Sequence, residues 1–256
     1  MSARFFADVA LATGSPLTLP DQAARHVQVL RLQPGTEITL FNGLGNGSEG
    51  SEGEFVATIT RMGRSDVDVT LGAYTATHRE ARQPTHLVIG MPANERMDWL
   101  VEKATELGVA SIQPVMTERS VLRLKAERAD KKVVHWRGVA IAASEQSGRS
   151  RVPVIHEVQT LSDWLKTTTR QVPSLNAGAR LLLSLQPGTQ PLAQAAKGGQ
   201  TLTFLSGPEG GLSPGEEATA VACGFLPVTL GPRVLRAETA PLACLSFLAL
   251  LQPLPL

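Results

Sequence analysis

Hydrophobic residues in the first third of the chain occur in short runs that polar or glycine-rich segments separate. The clearest of these runs are Glu37–Leu40, Phe55–Ile59 and Val67–Thr70. Short β-rich runs with close turns between them are typical of a small barrel. The pattern therefore predicts a small β-barrel that ends near Leu71.

From Thr85 onward the pattern changes, because apolar runs alternate with segments of helical periodicity. The predicted strands are Leu87–Gly90, Ser111–Val115, Leu181–Leu185, Leu202–Leu205 and Phe225–Leu230. The predicted helices include the segment around Met97–Leu107, Val133–Glu145, Pro214–Cys223 and the apolar segment Leu242–Leu251. Such alternation indicates an α/β fold with a parallel sheet. We accordingly divide the chain into residues 1–73 and 74–256.

Two glycine-rich turns follow the last two predicted strands. The first is Ser206–Gly211, and the second begins at Leu230–Arg233. Ligands of open α/β sheets bind outside the carboxyl ends of the strands, where glycine lets the backbone come close to them. We therefore expect the two turns to hold one ligand between them, although a single GPEGG turn can also be a plain connection.

A helix start follows the first turn. Ser213 and Glu216 have the spacing of a capping box, and Pro214 occupies the first helical position, where its missing N–H costs nothing. The free N–H groups of a helix N-terminus favour a carboxylate or another anion. The first turn is thus expected to present its ligand near such an end.

Charged residues stand in the second turn, directly before the apolar helix. Arg233, Arg236 and Glu238 are the charged residues there. Charges beside a buried element are costly unless they are paired or used. Arg236 and Glu238 are therefore candidates for chemistry, with a structural ion pair between them as the alternative.

Composition restricts the function classes. The chain has 256 residues, a hydrophobic content of 43% and a formal net charge of +1. No run is apolar and long enough for a membrane span, and the amino terminus lacks a secretory pattern, so we expect a cytoplasmic protein. Cys223 and Cys244 do not form a CxxC pair and no two histidines have metal-ligand spacing on a helix, so no metal is expected.

The two turns carry a resemblance to a known family. GPEGGLSxxE followed by LGPRVLRAETA, within residues 207–240, resembles the paired cofactor motifs of SPOUT methyltransferases, and specifically of the ribosomal RNA small subunit methyltransferase E family. Segments elsewhere agree with that family in the same order: Arg4–Phe6, His26–Arg31, Phe41–Gly43, Glu95–Gly108, Thr117–Ser120 and Glu145–Pro153.

The resemblance implies fold, activity and cofactor together. The fold would be α/β, with a PUA-like β-barrel that binds RNA in residues 1–73 and a SPOUT domain with a trefoil knot in residues 74–256. The activity would be methylation of N3 of a uridine in 16S rRNA, with S-adenosylmethionine as methyl donor. Methylation of a ribose 2′-hydroxyl or of another base, and a non-catalytic RNA-binding assembly factor, remain alternatives.

The resemblance also implies site residues. Arg236 and Glu238 would be catalytic, by stabilising the N3 anion and by accepting its proton. Glycines would leave room for the cofactor, and Glu209 would lie near its sulfonium or ribose or else cap the turn. The residues expected at the cofactor are Leu183, Leu205, Gly207, Glu209, Gly210, Gly211, Leu230, Gly231, Val234 and Leu235.

Expected partners are 16S rRNA, within the small ribosomal subunit, and a second copy of the chain. The first 80 residues hold more acidic than basic residues, so RNA binding requires a local basic face. The candidates for that face are Arg4, Arg25, His26, Arg31, Arg119 and Arg149, although many such residues only solvate a surface. The apolar helices around Met97–Leu107 and Leu242–Leu251 suggest a homodimer.

Overall fold

The structure is a computed structural model that describes residues 2–45, 52–170, 178–196 and 199–251. The chain divides into two compact units. The first comprises Met1–Glu80 and Ile141–Val152, and the second comprises Ala81–Ala140 and Pro153–Leu254. The boundary predicted after residue 73 lies inside a strand, which pairs as far as Ala76.

Among the described residues, the first unit contains a five-stranded sheet, one helix of its own and the carboxyl-terminal part, from Ile141 to Ser147, of a longer helix given below. The sheet has the order β1-β3-β4-β5-β2, in which β1 is parallel to β3 and the other pairs are antiparallel. Its elements are β1 (Arg4–Phe6), β2 (Pro16–Thr18), α1 (Asp21–Val29), β3 (Glu37–Phe41), β4 (Gly53–Met62) and β5 (Val67–Ala76).

Buried and more exposed residues alternate along β4 and β5, and the buried ones form the core of this unit. Phe55, Ala57 and Ile59 are buried while the residues between them are more exposed, as a strand with one buried face requires. Val67 and Val69 are likewise the buried residues of β5, and α1 contributes apolar residues to the same cluster. The three strands predicted here are confirmed, whereas β1, β2 and α1 were not predicted.

The second unit contains a sheet in which every pair of strands is parallel. The order is β11-β13-β10-β12-β6-β7-β8, and β9 also pairs with β7. The strands are β6 (Thr85–Gly90), β7 (Ser111–Met116), β8 (Val154–Ile155), β9 (Gln159–Thr160), β10 (Ala179–Leu183), β11 (Gln190–Pro191), β12 (Leu202–Ser206) and β13 (Leu226–Thr229). The predicted parallel α/β sheet is confirmed.

Six helices connect or follow these strands. They are α2 (Asn94–Glu106), α3 (Ala126–Ser147), α4 (Leu161–Arg170), α5 (Leu192–Ala195), α6 (Pro214–Ala222) and α7 (Thr239–Leu250). The buried face of α2 is formed by Met97, Leu100, Val101 and Ala104, which recur at helical spacing and are fully buried. In the described ranges, none of the helices combines the length and the apolarity that crossing a bilayer would require.

Three features differ from the sequence prediction or go untested. Helix α3 begins seven residues before the predicted Val133, at Ala126, and helix α4 was not predicted. The knot that the family resemblance implies stays a prediction.

Candidate active site

The two glycine-rich turns meet at the carboxyl edge of the parallel sheet. Strand β10 lies between β12 and β13 in the sheet, so the segments that follow these three strands are neighbours. A cavity of about 540 Å³ opens there, and its lining includes residues 206–212 and 228–231 from the two turns. Its size is in the range of small-molecule sites, and its place is where open α/β sheets bind ligands.

The first turn is tightly folded on itself. The Gly211 N–H donates to the Pro208 carbonyl at 2.8 Å. A Cβ at Gly207 would lie 2.7 Å from the carbonyl carbon of Gly211 and from the Leu212 nitrogen, so only glycine fits. The predicted capping box is confirmed, because Ser213 and Glu216 bond to each other's backbone N–H at 3.2 and 2.9 Å.

Glu209 ties the first turn to the start of α2. Its Oε1 accepts from the Ala93 N–H at 3.0 Å and from Arg96 Nη1 at 3.1 Å. Partial burial raises the pKa of Glu209, but the backbone N–H groups of Ala93 and of Glu209 itself, with the Arg96 guanidinium, outweigh that effect and lower it overall. Glu209 is thus an ionised brace whose contacts are with backbone and Arg96.

The segment after β7 holds the first turn from another side. Arg119 Nη1 donates to the carbonyls of Gly210 and Leu212 at 2.9 and 3.2 Å, and Glu216 Oε1 accepts from the Glu118 N–H at 2.9 Å. A Cβ at Gly210 would lie 3.1 Å from the Cβ of Arg119. A side chain at this position would therefore press on Arg119, and the expectation that this glycine also leaves room for the ligand stays a prediction.

The second turn is held by fewer bonds. Thr229 Oγ1 bonds to the N–H and the carbonyl of Gly231, which has φ +107°. Among the described residues, no hydrogen bond is made by the backbone N–H groups of Val234, Leu235 and Ala237, all of which line the cavity. Such groups need a partner when they are shielded from water, and a ligand can supply it.

The two catalytic candidates differ in their surroundings. Arg236 is exposed and lines the cavity, and its carbonyl accepts from the N–H groups of Thr239 and Ala240 at the start of α7. Glu238 is 8% exposed, and its buried Oε2 has no hydrogen-bond partner in the described structure. Within the described ranges no ion pair joins the two, so the alternative of a structural pair finds no support.

A third segment, after β10, completes the cavity. Ser184 Oγ donates to Glu217 Oε2 at 2.8 Å and accepts from the Gln186 N–H at 3.1 Å. All three residues line the cavity. The sequence analysis did not identify them.

Comparison with known proteins assigns the family. Residues 79–249 match the family model of an RNA methyltransferase domain, and residues 19–46 match that of an RNA methyltransferase PUA domain. The ribosomal RNA small subunit methyltransferase E of Bacillus subtilis is 30% identical over 232 residues, which is 86% of this chain and 84% of that one. The chain belongs to the ribosomal RNA small subunit methyltransferase E family.

Solved structures agree with the methyltransferase E assignment. The methyltransferase E of Neisseria gonorrhoeae bound to S-adenosyl methionine is 34% identical, with a TM-score of 0.85 and 96% of each chain covered. A methyltransferase of Legionella pneumophila, solved with its bound cofactor SAM, is 32% identical, with a TM-score of 0.86 and 97% of each chain covered. The resemblance stated from the sequence is confirmed.

The structure gathers most of the residues expected at the cofactor of a methyltransferase E. Leu205 is the exception, because its side chain is fully buried in the core on β12 and does not line the cavity. The members that do line it are Leu183, Gly207, Glu209, Gly210, Gly211, Leu230, Gly231, Val234 and Leu235.

The candidates for RNA contact fall into two groups. Arg25, His26, Arg31 and Arg119 are exposed. By contrast, Arg149 is 5% exposed and donates to Glu80 at 2.6 and 3.0 Å.

Arg4, like Arg149, makes hydrogen bonds to other residues of the first unit. Its guanidinium donates to Glu54 at 2.9 Å and to the carbonyls of Ser144, Glu145 and Arg149. Burial lowers the pKa of Arg4, and the Glu54 carboxylate opposes that effect. Both arginines are thus occupied by contacts within the first unit.

Residues that the sequence analysis missed come from segments outside the two motifs. Arg96, Ser184 and Glu217 lie at the cavity because the sheet brings their segments to one edge. Only Arg96 had a signal, since it stands inside a segment that resembles the methyltransferase E family. As for metals, the ranges that the structure describes contain no group of three or more His, Cys, Asp or Glu side chains that could hold one.

Proposed function

We propose that the chain transfers a methyl group from S-adenosylmethionine to N3 of a uridine in 16S rRNA of the small ribosomal subunit, in the cytoplasm. The observation that supports this most is the single cavity that both glycine-rich turns line at the carboxyl edge of the sheet. Two relatives with at least 32% identity over nearly the whole chain were solved with this cofactor.

The residues present fit the cofactor. Leu183, Leu230 and Leu235 give the cavity apolar walls, which suit an adenine ring. The unpaired N–H groups of Val234, Leu235 and Ala237 are donors that the polar edge of such a ring or a carboxylate can satisfy. The cavity therefore offers both the apolar surface and the polar contacts that the cofactor requires.

The bound cofactor supplies an electrophilic methyl group, so the protein needs neither a nucleophile of its own nor a metal. What remains for the chain is to position the base and remove the N3 proton. Arg236 is exposed at the cavity with no carboxylate partner in the described structure, and its charge can stabilise the N3 anion. Glu238, with its unpartnered Oε2, is our candidate for the proton acceptor.

RNA contact in the first unit is proposed for the exposed end of α1 and the residues after it. Arg25, His26 and Arg31 are exposed there and can reach phosphates. In the second unit Arg119 is exposed and lines the cavity. Arg4 and Arg149 are proposed to support this surface indirectly, by holding the first unit together. A reduced salt dependence of RNA binding in Arg31→Ala, but not in Arg149→Lys, would support this division.

A homodimer is also proposed. Most apolar residues of α2 and α7 are buried in the fold, but Trp99 of α2 and Leu250 of α7 remain exposed, the second at 86%, as does Val134 of α3. We propose these exposed apolar side chains as candidates for the association surface. Light scattering at micromolar concentration should give twice the chain mass, and Leu250→Glu should lower it while the control Val154→Glu on β8 does not. A monomeric wild type would refute the dimer.

The activity is tested by nucleoside analysis of 16S rRNA from a strain that lacks this protein. We expect 3-methyluridine to disappear and to return with the wild-type gene but not with Arg236→Ala. Loss of a ribose-methylated nucleoside or of another methylated base would favour a different methylation. An unchanged nucleoside profile would favour a non-catalytic assembly factor.

A further inference from the structure

Two carboxylates line the cavity, and they have different partners. Glu209 is neutralised by Arg96 and by the Ala93 N–H. Glu217 belongs to the first turn of α6, and among the described residues its side chain bonds only to a neutral hydroxyl, that of Ser184. In the described ranges no Lys, Arg or His forms an ion pair with Glu217. Its negative charge is thus available to a ligand.

Ser184 fixes the direction of Glu217. This serine is 6% exposed, and its N–H donates to the Val228 carbonyl at 3.1 Å, which anchors it to β13. Its hydroxyl accepts from the Gln186 N–H and gives its single proton to Glu217 Oε2. The other carboxylate oxygen of Glu217 has no hydrogen-bond partner among the described residues, and Glu217 lines the cavity.

The rest of the cavity is rich in positive charge. Arg96, Arg119, Arg233 and Arg236 line it together with the two glutamates. A cationic group entering the cavity would be repelled by most of these charges, and Glu217 is the lining carboxylate that no arginine neutralises. The position of Glu217 is therefore where the cavity favours a positive charge.

We propose that Glu217, held in place by Ser184, recognises a positively charged group of the cofactor. This inference rests on the proposed function, because it takes S-adenosylmethionine as the ligand. That molecule has two cationic groups, the sulfonium and the ammonium of its methionine part. The product, S-adenosylhomocysteine, keeps the ammonium and has a neutral thioether. Recognition of the sulfonium would make the site prefer substrate over product.

A purely structural role makes different predictions. Glu217 lies in the acidic first turn of α6, where a negative charge stabilises the helix dipole. Glu216 lies in the same turn, but its contacts are with Ser213 and Glu118, and it does not line the cavity. Glu216→Gln is therefore the variant for comparison: it removes one negative charge from the same helix end and weakens two bonds that brace the first turn, so any loss of affinity in it should come with a lower melting temperature.

The test is titration calorimetry with S-adenosylmethionine and with S-adenosylhomocysteine on the full chain. Glu217→Gln keeps the shape of the side chain, and we expect it to weaken binding of S-adenosylmethionine by about tenfold or more. Unchanged affinity for S-adenosylhomocysteine would assign the contact to the sulfonium, and an equal loss for both would assign it to the ammonium. Ser184→Ala should give a smaller loss in the same direction.

Two results would overturn the proposal. One is wild-type affinity of Glu217→Gln for both ligands, with a melting temperature that shows it to be folded. The other is a loss of affinity in Glu217→Gln that comes with a proportional loss of melting temperature, as expected for Glu216→Gln, which would mean that the charge acts through the helix and the turn. A wild-type chain that binds neither ligand would instead contradict the proposed function itself, and the two failures are thus distinguishable.

Discussion

The two glycine-rich turns line the same cavity but are built in opposite ways. Glu209, Arg119 and Glu216 brace the first turn through bonds to distant segments. In the second turn the hydrogen bonds among the described residues are local, at Thr229 and at the carbonyl of Arg236. The first turn is thus a scaffold, and the second leaves main-chain donors and arginines free for ligands. Similar glycine patterns in sequence can therefore serve different purposes.

The largest expected effect belongs to the second turn. If Arg236 stabilises the N3 anion, Arg236→Ala should lower turnover by about a hundredfold or more, because the interaction it removes is made mainly in the transition state. Cofactor affinity and melting temperature should stay nearly unchanged. Arg236→Lys should restore activity only in part, since it keeps the charge without the planar fork.

Glu238 is the second residue in this prediction. Replacing its buried, unpartnered carboxylate by the neutral amide in Glu238→Gln should lower turnover without lowering the melting temperature. Turnover, calorimetric affinity and melting temperature should be measured on the same variants. Stability lost in proportion to activity in both would contradict the catalytic assignment.

The next largest effect is expected from alanine at Gly207 of the first turn, and a smaller one from alanine at Gly231 of the second. Gly207→Ala places a Cβ 2.7 Å from backbone atoms, so the first turn must shift, and we expect cofactor affinity to fall by about tenfold or more. Gly231→Ala meets no atom within 4 Å and suffers only from its φ of +107°, at about 1–2 kcal/mol. If calorimetry showed that Gly231→Ala weakens cofactor binding more than Gly207→Ala does, the view that the first turn is the rigid scaffold would be contradicted.

A smaller effect is expected for the brace on the first turn. Glu209→Gln removes a charged acceptor shared by the Ala93 N–H and Arg96, which should lower stability by about 1–2 kcal/mol, or a few degrees in melting temperature. Because the turn itself loosens, cofactor affinity should fall with stability. If affinity fell while the melting temperature held, Glu209 would be a direct ligand contact and not a brace.

The smallest expected effect is the pH dependence of the stability that Glu209 contributes. The folded pKa of Glu209 lies below its unfolded value, so its contribution to stability is complete above the unfolded pKa of about 4.3 and is lost as pH falls through the lower, folded value. Thermal unfolding of wild type and Glu209→Gln should therefore converge as the pH falls below about 4. Curves that stay parallel across this range would argue against an ionised Glu209.

The sequence predicted the parallel sheet and the two turns because each is encoded locally. Strand β12 and the Ser213–Glu216 capping box are patterns within a few residues. Helix α4 was not predicted, although Leu161, Trp164 and Leu165 have helical spacing and are a local signal for it. Strands β1 and β2 have three residues each, which is too short for any periodicity to show.

Contacts between segments that are distant in sequence could not be predicted from local patterns. Arg149 has a carboxylate partner 69 residues away, and that pairing, not its charge, decides that it is buried. Ser184 and Glu217 meet only because β10 and β12 are neighbours in the sheet. Leu205 was expected at the cofactor, yet it faces the core from the strand that leads into the first turn.

Glu216 has a consequence for the order of folding. One oxygen of its carboxylate bonds to the N–H of Ser213, three residues away, and the other to that of Glu118, 98 residues away. The first bond can form in an isolated segment within the time of a helix-coil relaxation, whereas the second requires closure of a long loop. A single carboxylate thus takes part in an early local step and in a late one, so Glu216→Gln should give a fractional φ-value.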